Sequence, residues 1–191
     1  MVRQLSTQEA AALADLASIF DDLQTVLRCC ERLLGELRAA EQAEPDDLVL
    51  EAVWTTAVLS YTRCFADSDH GERLAETDVT ATALQGDVLA WHRVLVQLRR
   101  HYADVDNPRE RFAVGTTLDA DGTPNGIAVT SAPQPRLDDV TIRQTGALAY
   151  ELSKIVNQRI DACQAQVLAT ASTMPAADLA KLPRIDVAVS I

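Results

Sequence analysis

The chain has 191 residues, 48% of them hydrophobic and only 4% aromatic, which is enough apolar material for one domain with a buried core and too much for a disordered chain. Its net charge of −11, from 28 acidic and 17 basic residues, repels polyanions at long range and argues against a broad nucleic-acid-binding surface, while leaving room for a local arginine patch. No apolar run approaches the ~20 residues that span a bilayer, and the segment Met1 to Ser6 lacks the apolar core of a signal peptide, so a cytoplasmic protein without membrane contact is expected.

In chain order, Ser6-Thr7-Gln8-Glu9 reads as a capping box that opens a long helix. Apolar residues follow at Leu13, Leu16, Phe20, Leu23, Leu27, Cys30, Leu34 and Leu37. That alternation by three and four is the seam of a helix in a bundle. Pro45 with Asp46 and Asp47 starts a second helix, which runs to about Phe65 with Leu50, Val53, Trp54, Ala57 and Tyr61 on one side. Asp67 to Gly71 breaks it. A third helix from Leu84 to Tyr102 places Leu84, Val88, Trp91, Leu95, Leu98 and Tyr102 on one face, and Asn107-Pro108 closes it.

The period then changes to two. Phe112 to Leu118 and Ile127 to Ser131 flank Asp119-Ala120-Asp121-Gly122, with Pro124-Asn125-Gly126 just beyond, and the pattern predicts a β-hairpin. Pro133 and Pro135 end it. A fourth helix spans about Asp138 to Ala171, with Leu148, Leu152, Ile155, Ile160, Cys163 and Val167 facing inward. From Met174 the chain holds a short helical stretch and the apolar Ile185 to Val189, which can pack on the bundle or pair with the hairpin. The expected fold is therefore mainly α. It is a four-helix bundle-like domain over residues 1–173, with a hairpin at 111–132 between the third and fourth helices and a tail over 174–191.

The four cysteines show no metal-ligand spacing and sit in helical patterns, where reduced thiols behave as small hydrophobes. Cys29 and Cys30 are neighbours pointing about 100° apart on a helix, which disfavours a redox pair. His70, His92 and His101 form no HExxH pattern. Asp67-x-Asp69-His70 and Asp119-x-Asp121-Gly122 resemble oxygen-ligand loops, but the twelfth positions are Asp78 and Thr130, not the glutamate a calcium loop needs. A helix break and a hairpin turn account for them. Glycine-rich phosphate loops and a Gly-x-Ser-x-Gly elbow are absent from the sequence. No metal or cofactor is expected.

The chemically richest segment is Trp91 to Asp104. His92 and Arg99 are seven residues apart and share one flank of the third helix, where a cation and an imidazole can hold an anion or polarise a phosphodiester. The plainer reading is that Arg99 snorkels or pairs with an acidic neighbour. Trp54, Tyr61, Trp91 and Tyr102, with Arg63 nearby, offer the lining of a small-molecule pocket. Aromatics at helical spacing are also what a core looks like.

Trp54…Tyr61-Thr62-Arg63-Cys64-Phe65, followed by His92 and by Leu98-Arg99-x-x-Tyr102-Ala103-Asp104-x-x-Asn107, resembles a bacterial group of HEPN-like helical proteins (higher eukaryotes and prokaryotes nucleotide-binding). The likeness covers roughly Leu50 to Val167 in layout and rests on short motifs. It implies a four-helix bundle that forms a symmetric dimer. Active members of that family carry an Arg-x4-6-His centre at the dimer cleft, a metal-independent ribonuclease in which the histidine is the acid or base and the arginine holds the phosphate. Arg99 falls on the motif arginine, but the histidine position is Asp104, and the polar residue after the arginine is Arg100. An aspartate with an ordinary pKa of ~4 is a poor general acid at neutral pH and puts negative charge where a phosphate must sit. His101 lies one step from Arg100 and does not replace the missing group without rearrangement. The resemblance therefore implies a member without nuclease activity that acts through protein association, as a homodimer or with another protein. The alternatives are a ribonuclease using Arg99 with His92 or His101, and a small-molecule-binding helical module.

Overall fold

A computed structural model describes residues 2–39, 46–67, 71–104, 112–131 and 137–185. Pro45, Asp69, His70, Asn107, Pro108, Pro133, Pro135 and the last six residues lie outside the described set. The described chain is mainly helical with one hairpin, as the periodicity predicts. Its elements are β1 (Val2–Arg3), α1 (Gln8–Ala39), α2 (Asp47–Arg63), α3 (Glu76–Thr80), α4 (Val88–Ala103), β2 (Phe112–Leu118), β3 (Pro124–Ser131), α5 (Asp139–Thr173), α6 (Ala176–Lys181) and β4 (Arg184–Ile185).

Local chemistry sets the helix starts. The Thr7 hydroxyl accepts from the Ala10 amide at 3.2 Å, so the cap of α1 sits one residue later than the Ser6 box implies. The Asp46 carboxylate takes the amides of Leu48 and Val49, Asp87 takes that of Ala90, and Asp138 takes that of Thr141. Helix α4 begins at Val88 and not at Leu84. Gly86 adopts φ +94°, a left-handed turn no helix passes through, and Asp87 then caps the new start.

Helices α1 and α5 pack along each other, α1 also packs on α2, and α2 on α4. The sequence pattern did not reveal α3, a single five-residue element that touches both α4 and α5 and so closes the circuit. Its Asp78 carboxylate accepts from the Ala75 amide at 2.9 Å and from the Arg159 guanidinium of α5, tying the closure down. Leu74 and Val79 bury the apolar side of this closure.

The core runs through Leu16, Ile19, Leu23, Val26, Cys30 and Leu33 of α1. Leu16, Leu23 and Cys30 belong to the expected seam, whereas Phe20, Leu27 and Leu34 flank it half-buried. Because α1 lies between α2 and α5, its buried stripe is broader than a two-position seam and is centred one residue earlier on alternate turns. Trp54, Ala57, Val58 and Tyr61 of α2 and Ile142, Leu148, Leu152 and Val156 of α5 complete the core.

The hairpin pairs Val114 with Val129 and Thr116 with Ile127 in antiparallel register. Gly122 at φ +80° makes the tip, where the Asp119 carboxylate accepts the amides of Asp121 and Thr123 at 3.1 and 2.9 Å. Strand β3 starts at Pro124, three residues before the expected Ile127, because Pro124-Asn125-Gly126 enters the ladder through an irregular register beside Thr117 and Leu118. At the far end Arg184–Ile185 pairs with Val2–Arg3 and not with the hairpin. Among the described residues no helix is long and apolar enough to cross a membrane.

Candidate functional site

The sequence-nominated cluster on α4 does not assemble into one site. His92 is buried, with 4% of its surface exposed, and faces α2. Its Nδ1 lies 2.8 Å from the Tyr61 hydroxyl, and its ring sits 4.5 Å centroid to centroid from Phe65. Burial pushes the Tyr61 phenol well above its ordinary range, so it keeps its proton, and the direction of its hydrogen bond with Nδ1 follows the imidazole tautomer. Burial also holds the His92 pKa below its usual value, partly offset by the Glu76 carboxylate and reinforced by the Arg93 cation. The group is a neutral, hydrogen-bonded core histidine at neutral pH.

Arg99 is exposed. Seven residues of helix separate it from His92, a rise of about 10 Å, so a single phosphate does not bridge the pair. His101 follows Arg99 by two positions, about 200° around the axis, and packs edge-on to Tyr102 with ring centroids 5.0 Å apart. Asp104 ends the helix: its backbone amide donates to the Arg100 carbonyl at 3.2 Å. The Arg100 cation in the last turn complements the negative end of the helix dipole.

The aromatic candidates are divided too. Trp54 and Tyr61 are core residues, while Trp91 and Tyr102 are half-buried against it. The Trp91 indole nitrogen is a buried donor without a hydrogen-bond partner among the described residues. Arg63 lies apart from all four, exposed and ion-paired to Asp22 at 3.4 Å.

Two surface grooves are formed by other residues. The larger, about 460 Å³, lies between the start of α1 and the middle of α5 and is lined by Gln8, Glu9, Glu72, Arg159 and Cys163. Arg159 is engaged there by Asp78, and the Cys163 thiol donates to the Glu9 carbonyl at 3.3 Å. Burial raises the pKa of that thiol, so it is not an activated nucleophile. Burial also pushes the Cys30 and Cys64 thiols up to about 12. The smaller groove, about 170 Å³, is lined by Asp15, Asp22, Asp67 and Glu72 with Arg63. Its carboxylates repel a phosphate. Among the described residues no group of histidine, cysteine or acidic side chains is arranged to hold a metal ion.

The feature that residue-by-residue reasoning missed is the hairpin surface. Phe112, Val114 and Leu118 of β2 and Ile127 and Val129 of β3 are between 58% and 74% exposed. Residues of one parity share a face of a strand, and the register places these five on the same face. They are five of the thirteen large apolar residues the described chain exposes, and the other eight are spread over five elements. The signal was present in the alternation, which predicts a shared face but not that the face stays uncovered. No family model, curated protein or solved structure matches the chain.

Proposed function

We propose that the chain is a non-catalytic, HEPN-like helical module that acts through protein association and self-associates as a homodimer. The observation that carries the reading is the contiguous apolar face of the hairpin, left open to solvent by a chain whose helices otherwise bury their apolar stripes. The net charge of −11 keeps such a chain soluble while a neutral patch does the binding.

The state of the α4 candidates supports the absence of catalysis. A general acid or base must come within hydrogen-bond reach of the substrate. His92 spends its Nδ1 on Tyr61 inside the core, and Asp104 stands where the related nucleases place their histidine. Arg99 alone binds a phosphate without activating it.

Two measurements test the reading. Mixed RNA incubated with the purified protein in EDTA stays intact if the reading holds. Cleavage that disappears in Arg99→Ala overturns it and promotes the ribonuclease alternative. Sedimentation at concentrations of order 1–100 µM, the range of modest interfaces, gives twice the 20.7 kDa chain mass. A strict monomer overturns the homodimer.

A further inference from the structure

Resting on the association reading, we infer that the partner of the hairpin is the hairpin of a second copy. The two apolar faces pack against each other across a two-fold axis, with the tip of one hairpin beside the open end of the other.

Four observations carry this. First, an isolated two-stranded hairpin is marginal in water without a surface to pack on, and among the described residues β2 and β3 pack on each other with no extensive helix contact. Second, the face is self-complementary. Its middle rows are Val114 beside Val129 and Thr116 beside Ile127, with Phe112 towards the open end and Leu118 towards the tip. The exposed parts of the five large side chains make roughly 500 Å² per copy, so complete burial in a pair withdraws about 1,000 Å² from water, the threshold between a specific and a transient interface. The expected dimer is therefore of modest affinity.

Third, the one polar group in the middle of the face is already satisfied. The Thr116 hydroxyl donates to the Gly126 carbonyl at 2.9 Å within the hairpin, so covering it strands no hydrogen-bonding group. Fourth, charge selects both the surface and the orientation. Two copies of a −11 chain repel, but residues 112–131 carry charge only at Asp119 and Asp121, both at the tip. Antiparallel packing sets the two tips at opposite ends, whereas parallel packing brings four carboxylates together. The opposite face of the hairpin carries Ala113, Gly115, Thr117, Gly126, Ala128 and Thr130. Those small side chains have little apolar surface to bury.

The experiment compares full-length chains by sedimentation, with circular dichroism recording helix content. Wild type is expected to dimerise, and Val114→Lys/Val129→Lys to weaken the dimer by about 100-fold or more, because like charges meet at a desolvated centre. Val94→Lys, on the exposed side of α4, leaves it unchanged. The double lysine variant mixed with Val114→Asp/Val129→Asp is expected to restore a mixed dimer, which a misfolded hairpin cannot do. A wild-type dimer that persists in the double lysine variant overturns the hairpin interface and leaves the association reading standing. A wild-type monomer overturns both self-pairing and the homodimer. Failure of the two charged variants to pair also overturns the proposal.

Discussion

Two regions of this chain carry apolar residues in regular alternation and meet opposite fates. In α1, Leu23, Val26 and Leu33 have no measurable exposure, and Leu95 of α4 is equally covered. In the hairpin, Val114 and Ile127 obey their own period just as strictly and are 71% and 74% exposed. A period assigns residues to a common face. What covers that face depends on which elements the chain brings beside it. The helices have one another; among the described residues the strands of the hairpin pack chiefly on each other.

The comparison can be broken most directly by equal truncations in both regions. Leu23→Ala is expected to cost about 3 kcal/mol of unfolding free energy, the transfer loss plus an unfilled cavity. Ile127→Ala, measured by urea denaturation at concentrations too low for association, is expected to change stability by no more than about 0.5 kcal/mol. A large loss at Ile127 in the monomer means that the hairpin face packs on the bundle after all.

A smaller effect probes whether α4 belongs wholly to the buried region. Tyr61→Phe keeps the ring and removes the hydroxyl that serves His92 Nδ1. Leaving that nitrogen buried and unpaired is expected to cost about 1–3 kcal/mol. No change in the denaturation midpoint means that solvent reaches His92 and that it remains available for chemistry.

The smallest expected effect is on pH. The folded His92 pKa lies below the unfolded value of ~6.5, so below that pH the unfolded chain binds a proton the folded chain refuses. Stability from this group is complete above ~6.5 and declines as pH falls towards the folded pKa. The groups that face His92 are Tyr61 on α2, Phe65 just beyond its end, Glu76 on α3 and Arg93 on α4. Thermal midpoints between pH 7 and 5 are expected to fall in wild type and to fall less in His92→Asn. Equal slopes remove His92 from the account.

The long helices were legible in the sequence because they repeat a period many times, with Asp46 and Asp138 marking two of the starts. Helix α3 was not, since five residues hold too little periodicity to register, and its role comes from Arg159, which lies 81 positions away. The start of α4 was misplaced because Leu84 keeps the apolar phase, while the turn at Gly86 is a backbone event with no hydropathy signature. His92 was placed on a helix flank beside the seam, and its burial depends on Tyr61, 31 residues earlier. The site was the least legible part. Exposure of the hairpin face depends on which elements lie beside it, none of them a long helix among the described residues, and a local pattern does not encode that.

The pairing of Val2–Arg3 with Arg184–Ile185 has a consequence for the order of assembly. Arg3 donates to the Leu182 carbonyl, and the Gln4 amide to that of Pro183, across 179 positions of chain. Bringing such distant segments together costs loop-closure entropy that two short strands repay poorly, unless the bundle has already brought them near. The clasp thus closes last during folding and opens first in native-state fluctuations, its amides exchanging hydrogen well before those of the core.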